Sequence, residues 1–466
     1  MRQFRWFSFL LAVFMLQCQS QIKDKPLELG AGPHLFIDDY LIADQTFLSR
    51  TVNNPEKYPQ PIVTGAKGGD DNFQPWMSVI RDAETGRFRI WYNTPENIHQ
   101  SHLGYMESDD GIHWIRPHRV LEDPYYIRFC CSVIDHGPNY PDPEKRFILA
   151  THRKPGIRIA TSPDGLTWKA LVDTALIKHT HDIVSLHWDP IHKRYIAIVG
   201  EKITSDLWEG KRRIPYQSVS DDLLHWEKQW RILMPKIGAP IERGETQFYA
   251  MSGIIARGDL LIGLVKILRD DLNATPGKTA REMGDMDRKA AGIGYTVLAW
   301  SRDGRTWQRD HEVFIPRNPL PGSWDHAMAW GTEQLVVGDE TYLYYCGYAR
   351  GHKIDRYNER QIGLARMPRD RYVAREADMN KGTLITKLLI LNGSFITVNA
   401  YIVGEMRVRL LDKGGQPIKG FYWMDVSGDG IDIPVAWAQD LKSLGNKPVR
   451  MEFELQDAQL YGFNLN

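Results

Sequence analysis

The chain of 466 residues has no excess charge of either sign, since 58 Lys and Arg stand against 58 Asp and Glu. Phosphate backbones are held by a surplus of Lys and Arg, so this balance argues against a nucleic-acid-binding protein. Cysteine is scarce. Of the four present, Cys130, Cys131 and Cys346 show neither CxxC spacing nor His at metal-ligand intervals, which argues against a disulfide scaffold and a zinc site and leaves these thiols as small buried hydrophobes. The apolar run near the start, residues 9–16, is too short to span a bilayer. Helical bundles and coiled coils are disfavoured too, because 39 Gly and 26 Pro interrupt the chain and aromatics make up 11% of it, a mixture suited to many short strands and turns.

Arg2 and Arg5 followed by that apolar run read as an export signal over residues 1–20. Cys18 stands where a lipoprotein would be cut and acylated, although Gln17 is larger than the small residue expected before it. Cleavage after Ser20 is the other open reading. Either way the expected place of action is outside the cytoplasm: periplasmic, outer-membrane lipoprotein or extracellular. Membrane contact is then expected only through a lipid anchor.

The informative presence is a repeat. Ser108-x-Asp110-x-x-x-Trp114 recurs at Ser162, Asp164 and Trp168, at Ser220, Asp222 and Trp226, and at Ser301, Asp303 and Trp307, at spacings of 54, 58 and 81 residues. A polar, strand-poor insertion around residues 269–289 stretches the last interval. The aspartates read as turn formers between the third and fourth strands of a unit, and the tryptophans as core. Hairpin patterns at 77–80 with 88–92, 132–134 with 147–149, 184–188 with 195–199, 251–255 with 260–264 and 328–337 with 342–345 make five units. Four-stranded units of this size, arranged radially, form a β-propeller. The fifth unit replaces the Ser-Asp-Trp turn with residues 362–371, and Leu35-Phe36-Ile37 is expected to supply a ring-closing strand. Beyond Gly382 the turn rhythm changes, with alternating strands at 383–391, 395–400, 406–411, 435–437 and 449–455. The expected fold is therefore all-β: a signal over 1–20, a five-bladed β-propeller over 21–378, and a small β-sandwich over 379–466.

In these features the sequence resembles the five-bladed β-propeller glycoside hydrolases of families 32, 43, 68 and 117. Ser220 to Trp226 followed by Glu227 is similar to the S-x-D-L-x-x-W-E pattern of family 32, which also carries a β-sandwich behind its propeller. The W-M-N-D-P-N-G segment of invertase-like enzymes is missing, which puts sucrose and fructan hydrolysis in doubt. The sialidase Asp-box is one residue longer than the motif here.

Propeller sites form where the innermost strands open into the central channel. The residues just ahead of those strands are Asp70, Asp71 and Gln74; Arg128; His181 and Asp182; Glu242, Glu245 and Gln247; and Trp324, Asp325 and His326. Glycoside hydrolysis needs a carboxylic acid to protonate the leaving oxygen and a carboxylate to activate water or attack the sugar. The resemblance implies the chain order Asp, Asp, Glu, matched here by Asp71, Asp182 and Glu245. The match departs at the second blade, which offers Arg128-Phe129-Cys130-Cys131 in place of a carboxylate, so Asp325 is an alternative member of the set. Asp71 reads equally well as part of a solvated turn; a site role is favoured for Asp182, with strand-start capping the alternative, and Asp38-Asp39 reads as turn or strand-edge structure. Arg128, His181, Gln247, Trp324, Asp325 and His326 are candidate substrate contacts, with Trp324 a sugar-stacking platform. No cofactor is called for. His179 and His181 lack a third ligand, and a structural channel cation such as Ca²⁺ or Na⁺ is left open. The leading expectation is an exo-acting hydrolase of a polysaccharide or oligosaccharide. Its rivals are a phosphorylase of the same fold, with Arg128 and Arg243 binding phosphate, and a silent carbohydrate-binding propeller.

Overall fold

The computed structural model describes residues 25–466 apart from 66–71, 75, 98, 117, 180–183, 237–245, 280, 284–291, 353 and 356–357. The described residues form strands and short 3-10 turns, with no α-helix among them. They divide into two compact units, Val52–Tyr372 on one side and the described part of the first 51 residues together with Val373–Asn466 on the other.

Val52–Tyr372 contains the five expected hairpins, each extended into a four-membered antiparallel sheet. The first sheet runs Met77–Arg81, Phe88–Pro95, Ser101–Ser108 and Arg119–Val120. The second runs Phe129–Asp135, Phe147–Arg153, Gly156–Ser162 and Lys169–Ala170, and the third runs Val184–Asp189, Arg194–Ser205, Trp208–Ser220 and Trp230–Arg231. The fourth runs Thr246–Arg257, Leu260–Arg269, Ile293–Ser301 and Gln308–Arg309. The fifth, Met328–Val337, Glu340–Tyr348 and Gln361–Pro368, gains its last strand from Glu56–Lys57, with Lys57 opposite Ala365. The first strand of each sheet lies beside the first strand of the next, and that of the fifth lies beside that of the first. Hydroxyl groups tie several of these inner strands together where no continuous ladder joins them. Ser78 accepts the Val133 N–H at 2.8 Å, Ser132 accepts the Leu186 N–H at 2.9 Å, and Thr296 accepts the Gly331 N–H at 2.8 Å. Second strands are packed on both faces, so Leu260–Arg269 is buried along its whole length, which is why it reads as an almost unbroken apolar run.

The repeat turns have a common chemistry. Asp110, Asp164, Asp222 and Asp303 each accept the backbone N–H groups two and three residues on, at 2.7–2.9 Å, and each takes the hydroxyl of the serine two residues before. Partial burial opposes ionisation of Asp303, but the Thr306 and Arg305 amides hold its carboxyl down, at about 2. The residue after each aspartate has a left-handed φ, from 61° at Gly304 to 75° at Gly111, and Leu223 alone adopts it without being glycine, at 70°. Three of these turns dock on the preceding sheet. Trp91 Nε1 donates to the Gly165 carbonyl at 2.7 Å, Gln217 to that of Gly304 at 2.6 Å, and Tyr344 of the fifth sheet to that of Gly111 in the first at 3.0 Å. In the fifth sheet Asp370, at φ 67°, takes the turn position and pairs bidentately with Arg257 at 2.6 Å. The ends of the unit meet, the Asn53 N–H donating to the Tyr372 carbonyl at 2.9 Å.

The other unit corrects two expectations. Residues 35–37 do not close the ring. Gly32–Leu35 pairs instead with Arg450–Leu465, and Phe36 sits among Phe453 and Phe463, because three large apolar side chains gain more from a core than from an outer strand, a place the polar Glu56–Lys57 fills. Likewise, residues 42–46 pair with Gly382–Thr386, so this unit draws strands from both ends of the chain rather than from 379–466 alone. The expected strands 395–400 and 406–411 are one strand, Ile396–Leu411, bent at irregularities after Asn399 and Ile402 and paired with Arg450–Leu465 along its length. Met424–Val435 flanks it. Asp39 is structural, ion-paired at 2.8 Å with the buried Arg375.

Candidate functional site

The starts of the five inner strands are the positions singled out above. Asp71, Asp182, Glu245 and His181, with Asp70, Glu242 and Arg243, lie outside the described residues. Trp76, ahead of the first inner strand, stacks on Tyr249 of the fourth, ring centroids 6.0 Å apart, and Tyr249 stacks on Trp330 of the fifth at 4.4 Å. Phe129 of the second meets Trp76 edge-on at 6.3 Å, and His352 closes on Tyr249 and Trp330 at 5.1 and 5.3 Å. Four sheets thus converge on one buried aromatic wall.

Polar groups frame this wall. Arg360 donates to the Gln74 side chain and, at 3.3 Å, to the Phe73 carbonyl. Gln247 donates to Asp270 at 3.1 Å. His326 is almost wholly buried with Nδ1 2.8 Å from the Asn318 carbonyl. Only an Nδ1–H can make that bond, so Nε2 carries the lone pair, and Nε2 has no partner. The Asn93 side chain, which follows the Trp76 end of the first sheet, is also buried without one. Buried polar atoms left open in this way mark where hydrogen bonds of a ligand or water belong.

Asp325, ahead of the fifth inner strand, is engaged by its own unit through one oxygen, while the other is buried without a hydrogen-bond partner among the described residues. It is 1% exposed, with one oxygen 2.7 Å from Lys57 Nζ and 3.1 Å from Tyr345 Oη. Burial, and then the Asp325 charge, push the Tyr345 hydroxyl well above its ordinary range, while burial pulls Lys57 down despite its partner. Trp324 lies on Tyr345 at 5.4 Å, so one of its faces is already covered. Gly347 and Gly363 make that fit, since a Cβ at either would stand 2.2 or 2.5 Å from the indole. Arg128 immediately precedes the first strand of the second sheet, Phe129–Asp135, whose register shifts between Phe129 and Ser132 at a bulge where Cys130 takes a left-handed φ of 66°. All three thiols are free and buried.

Below Trp76 the inner strands enclose charges that the sequence reading passed over. Lys266 is fully buried, 2.7 Å from Ser252 Oγ and 3.9 Å from the Trp76 ring centroid. Burial lowers its pKa to about 7. Glu333, half-buried and hydrogen-bonded by Ser78, is raised to about 8 by desolvation. His187, beside Ser185, is lowered to about 3 by burial and then by Lys266. The signal was available: each is a lone ionisable residue inside an apolar strand, where an unpaired charge is costly. Among the described residues no three His, Cys, Asp or Glu side chains gather as metal ligands, and His179 lies against His152 at 5.1 Å.

No family model matches the chain, and no curated protein does. Solved structures do. The chain is similar to a β-1,2-mannobiose phosphorylase from Listeria innocua in complex with β-1,2-mannobiose, at 11% identity over 68% of this chain and 97% of that one, with a TM-score of 0.45. It is similar to a glycosyl hydrolase from Bacteroides ovatus, at 14% identity over 73% and 94% with a TM-score of 0.42. It is also similar to a family 32 β-fructofuranosidase from Bombyx mori, at 11% identity over 89% and 94% with a TM-score of 0.40.

Proposed function

We propose that Val52–Tyr372 is a five-bladed β-propeller with a β-sandwich beside it in the chain, and that it cleaves the terminal sugar from an oligosaccharide or polysaccharide outside the cytoplasm. The observation that carries this reading is the aromatic wall of Trp76, Tyr249 and Trp330, built by three inner strands and framed by open hydrogen-bonding groups. The cyclic order of the first strands supports the blade count. In this mechanism Glu245 donates a proton to the leaving glycosidic oxygen as the bond to the anomeric carbon breaks. Asp71 or Asp182 either takes a proton from the attacking water or attacks that carbon itself. His326, through its free Nε2, and Gln247 orient sugar hydroxyls, while Asp325 supports Trp324 by way of Tyr345.

The test is hydrolysis of a panel of aryl glycosides and natural oligosaccharides with and without phosphate. Phosphate-independent release of a terminal monosaccharide is expected. Glu245→Gln keeps the size and removes the transferable proton, so turnover on a natural glycoside should drop about 10²- to 10⁴-fold and less on a substrate with an activated leaving group. Near-normal turnover of Glu245→Gln would remove Glu245 from the acid's role. Strict dependence on phosphate would make the protein a phosphorylase, and binding without turnover would make it a carbohydrate-binding propeller.

A further inference from the structure

The strands Arg194–Ser205 and Trp208–Ser220 of the third sheet keep pairing beyond the start of their inner strand. That strand begins at Val184 opposite Val199, whereas the hairpin continues through Glu201 and Ile214, and Lys202 and Arg213, to Ser205 and Trp208. This overshooting arm lays Arg213 on the aromatic wall, its guanidinium carbon 4.5 Å from the Tyr249 ring centroid. Among the described residues the Arg213 side chain has no hydrogen-bond or ion-pair partner, and its Nη1 is shut away from solvent. Cations nearby are otherwise provided for: Arg269 pairs with Asp271 at 2.6 Å, Arg350 pairs with Glu359, and Arg360 donates to Gln74. Arg128 likewise has no acidic partner among the described residues, and its neighbour Phe129 packs on Trp76, which stacks in turn on Tyr249. One guanidinium therefore lies against the aromatic wall, with Arg128 adjacent in the chain to Phe129 of that wall, and among the described residues neither arginine has an acidic partner.

Leaving a buried guanidinium N–H unmade is expensive, and the planar fork matches the geometry of carboxylate and sulfate oxygens. We propose that Arg213, with Arg128, binds an oxyanion carried by the carbohydrate, so that the substrate is an acidic glycan bearing uronic acid carboxylates or sulfate esters rather than a neutral one. This proposal rests on the carbohydrate reading above and specifies its substrate class. Inorganic phosphate offers the same chemistry from another source.

The experiment is calorimetric titration of the full chain with trigalacturonate and its carboxyl-reduced counterpart, with galactose 6-sulfate and galactose, and with inorganic phosphate. It is repeated for Arg213→Lys and Arg213→Ala after their melting temperatures have been matched to wild type. At least one acidic member should bind more tightly than its neutral counterpart, with salt weakening only the former. Arg213→Ala should weaken the acidic ligand about 10- to 100-fold, the range for lost hydrogen bonds to a charged group, with Arg213→Lys in between and the neutral ligand unmoved. Equal affinity for acidic and neutral members, or equal loss for both in Arg213→Ala, overturns the proposal while leaving the carbohydrate reading intact. Phosphate binding that depends on Arg213, with no preference for acidic sugars, overturns the acidic-glycan class and assigns the site to a co-substrate. No binding of any sugar overturns the underlying reading.

Discussion

The two units reach an all-β core by opposite means. Val52–Tyr372 uses short strands joined by turns that carry their own hydrogen bonds, so each Ser-x-Asp segment specifies its turn from within about seven residues and then clasps a neighbouring sheet. The other unit relies on two 16-residue strands, Ile396–Leu411 and Arg450–Leu465, aligned over nearly their full length. One scheme is local and repeated. The other is long-range and depends on strands from the far end of the chain.

The strongest way to break this contrast is truncation. Residues 379–466 alone should fail to fold, lacking the partners supplied by 32–35 and 42–46, whereas Val52–Tyr372 alone should melt cooperatively. Circular dichroism melts distinguish the outcomes, and a folded 379–466 fragment would refute the shared-strand account. Next in size, Phe453→Ala, which empties a fully buried position, should cost about 3–5 kcal/mol and lower only the transition belonging to its own unit in calorimetry. Within the repeat, Asp164→Ala removes the acceptor for two amides and one hydroxyl and should cost about 1–3 kcal/mol in the other transition.

A pH series sharpens the comparison further. Glu333 binds its proton more tightly folded than unfolded, so its favourable contribution is complete below about 4.5 and is lost as pH rises through about 8. Lys266 is lowered from 10.5 to about 7, so its unfavourable contribution is relieved as pH rises between those values. Lys266 and His187 act in wild type and variant alike, so the stability that wild type holds over Glu333→Gln in the Val52–Tyr372 transition should shrink between about pH 5 and 8, by at most about 1.4 kcal/mol per pH unit. A difference in urea midpoints that stays constant across that range would refute the assignment. The smallest effect is expected for Arg305→Ala, which breaks the exposed pair with Glu227 at 2.6 Å and a guanidinium contact 4.4 Å from the Trp230 ring centroid and should cost about 1 kcal/mol.

What was legible in the sequence follows the same division. The four Ser-Asp-Trp turns and the five hairpins could be read because their determinants are adjacent in the chain. The fifth turn was not, because Asp370 is held by Arg257 more than a hundred residues earlier. Nor was the ring-closing strand, since a two-residue element such as Glu56–Lys57 has no period to detect. At the site, strand starts could be located, but Asp325's engagement with Lys57 depends on a partner 268 positions away. The bulge that separates Cys130 from Cys131 leaves no trace in composition. Arg213 was missed because its exposed-looking surroundings in sequence give no hint that the hairpin arm carries it onto Tyr249.

The contact between Asn53 and Tyr372 has a consequence for synthesis. The repeat unit begins and ends at the same spot and, among the described residues, takes no strand in its sheets from Val373–Asn466, so it can complete its core before that segment is made. The strands around residues 32–46 must wait, apolar side chains uncovered, until Arg450–Leu465 has left the ribosome. Their protection during that interval is a kinetic demand that the finished fold no longer displays.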